Sequence, residues 1–371
     1  MKSTILIISL STVIGLYGFM NKSDKGSSQQ SGKNSEEQLI YPEEKQYFED
    51  LRQLTFGGNN AEAYWSFDDD MLVFQAENEK WNAPCDQIYV TSVENPQMKE
   101  KPPKMVSTGD GRTTCSYFLP GDTTVLYAST HEESKQCPPE PDRREDGAYV
   151  WPIYPSFDVY VADLEGNIQR KLTDRPGYDA EATVSPTGDK IVFTSIRSGD
   201  LELYTMDIDG SNVKQITDEL GYDGGAFFSP DGTKLVWRAS RPETPAEKKE
   251  YKTLLKEGLV KPTEMEVFVS NVDGSNMRQV TDLGKANWAP FFHPSGEKIV
   301  FSSNHHADRG YKFNLFMIDI DGTDLKQITH DKVFDAFPVF SNSGDKLVFS
   351  SNRNNGGTHE TNLFIAEWKE Q

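Results

Sequence analysis

One short pattern recurs six times along the chain, and this repetition constrains the fold more than any other feature. A typical copy has a turn at Ser229–Gly232, a strand at Leu235–Trp237 and a second strand at Glu266–Val269. Apolar residues alternate within these strands, and a period of two indicates β-strands and not helices. Six repeats of four short strands each predict an all-β protein folded as a six-bladed β-propeller.

The two ends of the repeat array predict how the ring closes. The last copy stops at Phe364–Trp368 and lacks the strand that follows in other copies, such as Asp324–Thr329. A matching segment, Asp50–Thr55, lies near the other end of the chain. We therefore expect residues 49–371 to form the propeller, with the N-terminal strand completing the last blade and removing two exposed sheet edges.

The repeated motifs resemble those of a known family. Turns of the type Ser-Pro-Asp-Gly, followed by Asp-Gly and by Gln-Ile-Thr, are similar to the repeats of the TolB propeller family over residues 49–371. TolB-type proteins carry an α/β domain ahead of the propeller, whereas only a linker precedes it here. The resemblance implies a non-catalytic scaffold that binds a protein or a cell-envelope component.

The N-terminal residues are typical of an exported protein. Lys2 precedes an apolar run from Ile5 to Met20, which predicts that residues 1–20 are a signal peptide or an uncleaved anchor. Residues 21–48 begin with a stretch rich in Ser, Gly, Asn and Gln, which predicts a flexible linker. We expect a periplasmic protein, or a membrane-anchored one that faces away from the cytoplasm.

The charge balance restricts the possible partners. The chain has 38 Lys and Arg against 58 Asp and Glu, a formal net charge of −20, which argues against nucleic acid as a partner. We expect a monomer that contacts a membrane only through the possible anchor. The sequence contains no Gly-x-Ser-x-Gly, His-Glu-x-x-His or phosphate-binding Gly-Lys-Ser/Thr motif, so we predict no catalytic residues.

Two positions 18 residues apart recur in every copy, one at the head of the first strand and the other at the end of the second. In three copies an aspartate is accompanied by an arginine: Asp179 with Arg197, Asp223 with Arg241, and Asp335 with Arg353. We expect structural ion pairs, because a half-buried charge without a partner is costly. The alternative is a ring of carboxylates that binds a cation at the mouth of the channel.

The longest insertions separate the second and third strands of a blade, so they should all emerge on one face, which we call the loop-bearing face. Variable loops on a rigid scaffold commonly carry function. The candidate binding residues on this face are His131, Trp151, Tyr154, Asn287, His305, His306, His330 and His359.

The nature of the bound ligand stays open. The histidines could bind a divalent metal, although solvated loop residues are the simpler interpretation, and we predict no cofactor. A metal-dependent carbohydrate-active enzyme is the alternative function, because oligogalacturonate lyases have similar repeats. Those enzymes have seven blades and a ligand motif that has no match here. A glycan or small-molecule binder is a further alternative.

Three local features of the sequence predict further structural details. Thr244, Pro245 and a terminating Gly258 predict a short amphipathic helix lying on the propeller. The aromatic stretch Tyr149–Pro155 either plugs the channel mouth or forms a binding patch. An exported protein could form one disulfide, and we prefer Cys115–Cys137 over Cys85–Cys115 because the long insertion has more need of an anchor.

Overall fold

The computed structural model describes residues 39–94, 98, 101–142, 144–145, 147–308 and 310–369. Within these residues the chain forms six four-stranded antiparallel sheets, which are the blades of the propeller. The predicted six-bladed fold is confirmed. The signal peptide or anchor predicted at residues 1–20, and the linker up to residue 38, lie outside the described residues.

Each blade runs from an innermost to an outermost strand. Blade one contains β2 (Asn59–Trp65), β3 (Met71–Asn78), β4 (Ala83–Ser92) and β5 (Lys104–Met105), and blade two contains β6 (Thr113–Phe118), β7 (Thr124–Ser129), β9 (Asp158–Asp163) and β10 (Ile168–Lys171). Blade three contains β11 (Asp179–Val184), β12 (Lys190–Ser195), β13 (Glu202–Asp207) and β14 (Lys214–Gln215).

The second half of the ring repeats this order. Blade four contains β15 (Asp223–Phe228), β16 (Lys234–Ser240), β18 (Met265–Asn271) and β19 (Arg278–Gln279), and blade five contains β20 (Asn287–Phe292), β21 (Lys298–Ser303), β22 (Asn314–Asp319) and β23 (Lys326–Gln327). Blade six contains β24 (Asp335–Phe340), β25 (Lys346–Ser351), β26 (Asn362–Trp368) and, as its outermost strand, β1 (Phe48–Gln53).

Ring closure follows the prediction from the sequence. Strand β1 pairs antiparallel with β26, with Leu51 opposite Ala366 and Gln53 opposite Phe364. The N–H of Leu54 also donates to the carbonyl of Leu363 at 2.8 Å. Because the first and last segments of the repeat array share one sheet, main-chain hydrogen bonds hold the ring closed.

The described structure includes residues that the sequence assigned to the linker ending at residue 48. A short 3-10 helix spans Pro42–Gln46. Its Glu44 is fully buried and lies 3.2 Å from the Arg353 guanidinium, which also donates to the carbonyl of Leu39 at 2.9 Å. Residues 39–47 therefore pack on blade six and are not part of the predicted flexible linker. The Ser- and Gly-rich composition used for that prediction belongs to residues further upstream.

The core lies between and within the blades and repeats from copy to copy. The second strand of every blade carries a buried aromatic residue at the same position: Phe74, Tyr127, Phe193, Trp237, Phe301 and Phe349. Most of these rings contact an aromatic residue of the neighbouring third strand, as Trp237 does with Phe268 at 5.9 Å between ring centroids. Replacing one of them by alanine should cost about 3–5 kcal/mol of stability.

The long insertions of blades two and four meet on the loop-bearing face. Helix α1 (Pro245–Lys256) begins at Thr244, whose side chain accepts a hydrogen bond from the Glu247 N–H, as the capping box predicted. After the helix, β17 (Leu259–Val260) pairs with β8 (Trp151–Pro152) of the other insertion. A second 3-10 helix spans Glu79–Trp81. Helix α1 has only 12 residues and is rich in Lys and Glu, and no described helix has the length and apolar character needed to cross a membrane.

The predicted disulfide is wrong. Cys85 and Cys137 form the disulfide, with their α-carbons 6.0 Å apart, and Cys115 is a free, buried cysteine. The physical reason is a β-bulge at Cys115, where a φ of 40° turns the side chain away from the loop and into the channel. Strand β4 instead begins beside the long insertion of blade two, so Cys85 anchors that insertion.

Candidate functional site

A bulge interrupts the innermost strand of every blade at the same point. In each case the register shifts, and one residue adopts a positive φ between 40° and 62°. We call these six residues the bulge ring: Glu62, Cys115, Glu181, Gly225, Ala289 and Phe337. All six line one central cavity of about 590 Å³. The left-handed backbone is unfavourable for five of them, and it directs their side chains toward the axis of the propeller.

A layer of larger side chains closes the channel below the bulge ring. The equivalent residues two positions further along each innermost strand, the floor ring, are Tyr64, Tyr117, Thr183, Phe227, Phe291 and Val339. Tyr64 of blade one contacts Phe227 of the opposite blade four, with ring centroids 5.7 Å apart. Side chains of opposite blades meet at this level, so the cavity ends here and opens toward the loop-bearing face.

Aromatic residues of the insertions form the mouth of the cavity. Trp151 of β8 lies 5.2 Å from Trp288 of blade five, measured between ring centroids, and its indole N–H donates to the Tyr149 hydroxyl at 3.1 Å. Tyr149 in turn contacts Tyr311 at 5.5 Å. These rings line the cavity together with Tyr154, whose hydroxyl donates to the Pro139 carbonyl. The aromatic stretch therefore forms part of the cavity wall.

On one side of the cavity a carboxylate has a complete set of partners. Glu181 accepts hydrogen bonds from Arg238, from the Tyr222 hydroxyl at 2.6 Å, from the Thr194 hydroxyl at 2.7 Å and from the Gly225 N–H at 2.8 Å. Burial alone would raise the pKa of Glu181, but Arg238 and these donors hold it below its usual range. This pair is a charged but fully compensated part of the wall.

Glycine makes room for the arginine of this pair. A β-carbon on Gly225 would lie 1.8 Å from the Arg238 guanidinium, and one on Gly224 would lie 2.3 Å from the Glu181 carboxylate. The bulge residue of blade four must therefore be glycine if Arg238 is to cross it and reach blade three. The Arg238 guanidinium also lies 5.5 Å from the Trp151 ring and 5.1 Å from the Tyr222 ring.

On another side of the cavity an equivalent carboxylate has few partners. Glu62 accepts a hydrogen bond from the Cys115 thiol at 2.8 Å and a longer one from the Tyr64 hydroxyl at 3.4 Å. Among the described residues no Lys, Arg or His forms an ion pair with it. Burial raises the pKa of Glu62 to about 7. Burial likewise raises the pKa of the Cys115 thiol well above its usual range, so the protonated thiol is favoured and donates to Glu62.

A second ion pair lies at the edge of the cavity. Arg112 lies 3.1 Å from the Asp86 carboxylate and also pairs with the exposed Glu140. Burial raises the pKa of Asp86 to about 6, and the nearby Arg112 opposes that effect. Arg112 and Asp86 both line the cavity, so its wall contains two arginines and three carboxylates.

The candidate residues chosen from the sequence divide into two groups. Trp151, Tyr154 and His359 line the cavity. Asn287 is fully buried and donates to the carbonyl of Met265, which is a structural role. The remaining histidines lie on blade surfaces, and no group of three or more His, Cys, Asp or Glu side chains among the described residues could hold a metal ion.

The other four histidines have local partners. His131 and His305 occupy the positions that carry arginine in three other blades, and each has its Nδ1 atom 2.9 Å from the hydroxyl of the serine two residues before it. The His306 Nε2 atom lies 2.9 Å from the Asn314 amide oxygen, and the backbone N–H of His330 donates to the Glu44 carboxylate. The His305 and His306 rings contact each other, with centroids 5.6 Å apart, but the four side chains do not converge on one metal site within the described part of the chain.

The three Asp–Arg pairs are present as ion pairs. The distances are 2.9 Å for Asp179–Arg197, 2.7 Å for Asp223–Arg241 and 2.9 Å for Asp335–Arg353. Arg353 also contacts Glu44 and lies 3.5 Å from Asp331, so three buried carboxylates surround one guanidinium. Each pair joins the first and second strands of one blade.

The bulge ring and Arg238 were not predicted from the sequence. Each bulge residue lies two positions after the strand head that defines the 18-residue pairs, so the aligned repeats could have exposed the set. Its composition, with Glu, Cys and Glu in three blades and Gly, Ala and Phe in the next three, is unlike the uniform pattern of a core position. Arg238 is similarly unusual, because it replaces a small or neutral residue of the other copies in an apolar strand.

Comparison with known proteins supports the resemblance to TolB. Residues 154–252 match the model of the TolB β-propeller domain. A putative TolB from Agrobacterium tumefaciens superposes with a TM-score of 0.53 at 18% identity, over 85% of this chain and 91% of that one. TolB from Acinetobacter baumannii superposes with a TM-score of 0.50 at 18% identity, over 86% of this chain and 65% of that one. This chain therefore spans less than two thirds of the length of that TolB.

An enzyme shares the architecture at the same level. Oligogalacturonate lyase from Vibrio parahaemolyticus superposes with a TM-score of 0.50 at 12% identity, over 84% of this chain and 79% of that one. No curated protein sequence matches the chain. At these identities the superpositions show the fold alone, and the chain is a TolB-like six-bladed propeller.

Proposed function

We propose that this TolB-like propeller is an exported, non-catalytic binding protein that receives a protruding segment of a protein or cell-envelope component in its central cavity. The observation that carries the proposal is the cavity itself, which has a closed floor, aromatic walls and an opening on the loop-bearing face. Concave sites with apolar walls and a few convergent polar groups are typical of binding sites.

The wall chemistry favours binding over catalysis. Of the three wall carboxylates, Glu181 and Asp86 already form ion pairs with arginines, and the pKa of the Cys115 thiol is raised by burial. A nucleophilic thiol needs a lowered pKa, whereas burial favours the protonated form of Cys115, which donates to Glu62. The aromatic mouth provides rigid contact surface of the kind that dominates protein recognition.

The disulfide agrees with export. Cys85 and Cys137 anchor the long insertion of blade two, and structural disulfides persist in oxidising compartments. Fusing residues 1–38 to an alkaline phosphatase that lacks its own signal tests this part of the proposal. We expect the fusion to be active outside the cytoplasm. An inactive fusion that stays in the cytoplasm would contradict export.

A cavity-filling variant tests the binding proposal. Ala289→Phe should block the cavity, because Phe337 already occupies the equivalent bulge position of blade six with a similar φ of 56° against 48°. Peptides selected from a random displayed library on the wild-type protein are then measured by fluorescence anisotropy against each variant. We expect at least a tenfold loss of affinity for Ala289→Phe.

The matched control is Leu325→Phe, an exposed position next to the β22–β23 turn on the opposite face. This variant should bind the selected peptides as the wild type does. Selected peptides that bind the wild type and Ala289→Phe equally well would show that the cavity is not the binding site.

Glycan binding is the second candidate, because paired tryptophans beside carboxylates provide stacking faces and hydrogen-bond acceptors for a sugar. Trp151 and Trp288 supply the rings. Given the net charge of −20, a neutral sugar fits better than an acidic one. Calorimetry with neutral oligosaccharides and with oligogalacturonate should show heat only for the former, and heat only for the latter would favour the lyase-like alternative.

A further inference from the structure

Two of the three carboxylates in the cavity wall are neutralised, and the third is not. Arg238 lies against Glu181 and Arg112 against Asp86, whereas Glu62 has no ion-pair partner among the described residues. Within the part of the chain that the structure describes, Glu62 is therefore the one wall carboxylate that has no paired opposite charge when it is ionised. A half-buried charge without an ion-pair partner is unfavourable unless a ligand supplies the opposite charge.

The hydrogen bonds of Glu62 leave room for such a ligand. Both donors, the Cys115 thiol and the Tyr64 hydroxyl, reach the same oxygen, Oε2. A thiol is a weak donor, so it compensates the carboxylate only in part. The Oε1 oxygen has no hydrogen-bond partner within the described part of the chain, and the side chain lines the cavity.

The surrounding rings suit a cation with an apolar stem. Tyr64 and Tyr178 line the cavity together with Trp151 and Tyr222, and the last two already lie within cation–π distance of the Arg238 guanidinium. A divalent metal is a poorer fit, because no three ligating side chains converge among the described residues. An anion would face the uncompensated charge of Glu62.

We propose that the cavity binds an ammonium group, with the positive charge against the Glu62 carboxylate and the apolar stem packed on the aromatic wall. The inference rests on the proposed function, since the cavity must first be a binding site. A lysine side chain of a partner protein and a free organic amine share this chemistry. The experiment below distinguishes these two sources.

The first arm of the experiment compares two small probes of similar size. Phenethylammonium carries the charge, and 2-phenylethanol is its neutral counterpart. Binding of each is measured by ligand-observed NMR to the wild type, to Glu62→Gln and to Glu94→Gln, whose carboxylate is exposed and lies outside the cavity. We expect the wild type and Glu94→Gln to bind phenethylammonium at least tenfold more tightly than 2-phenylethanol.

Glu62→Gln should bind both probes about equally, because glutamine keeps the shape and the acceptor for Cys115 but not the charge. Equal binding of the two probes by the wild type would overturn the proposal. A preference for phenethylammonium that persists in Glu62→Gln would overturn it as well.

The wild type alone gives a second readout that does not depend on the folding of a variant. The charged and titratable groups near Glu62 are Cys115, Tyr64, Glu181, Arg238 and Asp86. As pH rises from 6 to 8 Glu62 loses its proton, whereas phenethylammonium keeps its charge, so its affinity should increase severalfold. The affinity for 2-phenylethanol should stay constant. A phenethylammonium affinity that does not change with pH would contradict the role of Glu62.

The second arm identifies the source of the ammonium group. The probes are acetyl-Phe-Lys-amide and the same peptide with its lysine acetylated. Tighter binding of the unmodified peptide, lost in Glu62→Gln, supports a lysine of a partner protein. Binding of phenethylammonium without binding of either peptide supports a free amine as the source, and in that case the proposed protein partner fails while the ammonium site stands.

Discussion

Two glutamates at the same position of two blades behave differently in this protein. Glu181 of blade three and Glu62 of blade one both occupy left-handed bulges, with φ angles of 56° and 53°, and both line the central cavity. Glu181 has four donors, including an arginine, whereas Glu62 has a thiol and a distant hydroxyl. The same backbone position therefore serves structure in one blade and remains open to a ligand in another.

The difference comes from the neighbouring blade. The bulge residue following Glu181 is Gly225, which lets Arg238 cross from blade four and supplies a backbone N–H at 2.8 Å. The bulge residue following Glu62 is Cys115, whose backbone N–H donates to Gln75 instead, at 3.0 Å. The partner supplied by the next blade thus decides whether a carboxylate is compensated.

Removing an arginine that serves several carboxylates should have the largest effect. Arg353→Met leaves Glu44, Asp335 and Asp331 buried around an apolar side chain. We expect a loss of about 5 kcal/mol in the free energy of unfolding, measured by urea denaturation. The control is Lys369→Met, whose half-buried side chain donates one hydrogen bond to the Lys45 carbonyl, and which should change stability by about 1 kcal/mol.

The second-largest loss of stability should come from replacing Arg238, the ion-pair partner of Glu181. Arg238→Met should lower the free energy of unfolding by about 4 kcal/mol, because it leaves Glu181 buried without its cation. Adding Glu181→Gln should recover much of this loss, since the uncompensated charge is then gone. An additive double-mutant cycle would show that the two side chains do not act as a pair.

Replacing Glu62, the carboxylate without an ion-pair partner among the described residues, should change the free energy of unfolding less and should increase it. Glutamate in an unfolded chain has a pKa of about 4.3, and Glu62 has a raised value of about 7 in the fold. Between these values the folded state binds more protons than the unfolded state, so stability from this group falls as pH rises from about 4.3 to about 7.

Glu62→Gln does not titrate and should therefore be more stable than the wild type at high pH, by about 3.5 kcal/mol at pH 8. At pH 4.5 the two proteins should be nearly equal. Urea denaturation at both pH values checks the prediction, and a difference that does not depend on pH would contradict the raised pKa of Glu62.

The smallest effect should come from the donor to Glu62. Cys115→Ala removes the hydrogen bond that lowers the pKa of Glu62, so the pKa should rise further, and stability should fall by about 1 kcal/mol. Carboxyl-detected NMR titration measures the pKa. Cys115→Ser is the control, because its hydroxyl remains a donor and should keep the pKa close to that of the wild type or below it.

Much of the fold could be predicted because each blade is encoded locally. The period-two strands, the turns such as Ser229–Gly232 and the capping box at Thr244 all act between residues close in sequence. Ring closure by Asp50–Thr55 was also predictable, because the missing strand of the last copy has one matching segment at the other end. The 18-residue spacing likewise placed each aspartate beside its arginine within one blade.

The contacts between blades were decided only by the tertiary structure. Cys115 was assigned to a disulfide because its position along β6 was known but the bulge that turns it into the channel was not. The packing of Glu44 on Arg353 joins residues more than 300 positions apart, and no local pattern indicates it.

The sequence by itself determined the six blades, their order and the strand that closes the ring, because repeats and strand periodicity depend on neighbouring residues. It did not determine which side chains meet at the axis. Arg238 reaches Glu181 while Glu62 stays uncompensated because closing the ring brings adjacent blades to a fixed distance and angle at their bulges. That geometry belongs to the whole propeller, so the candidate site could be located only once all six blades were in place.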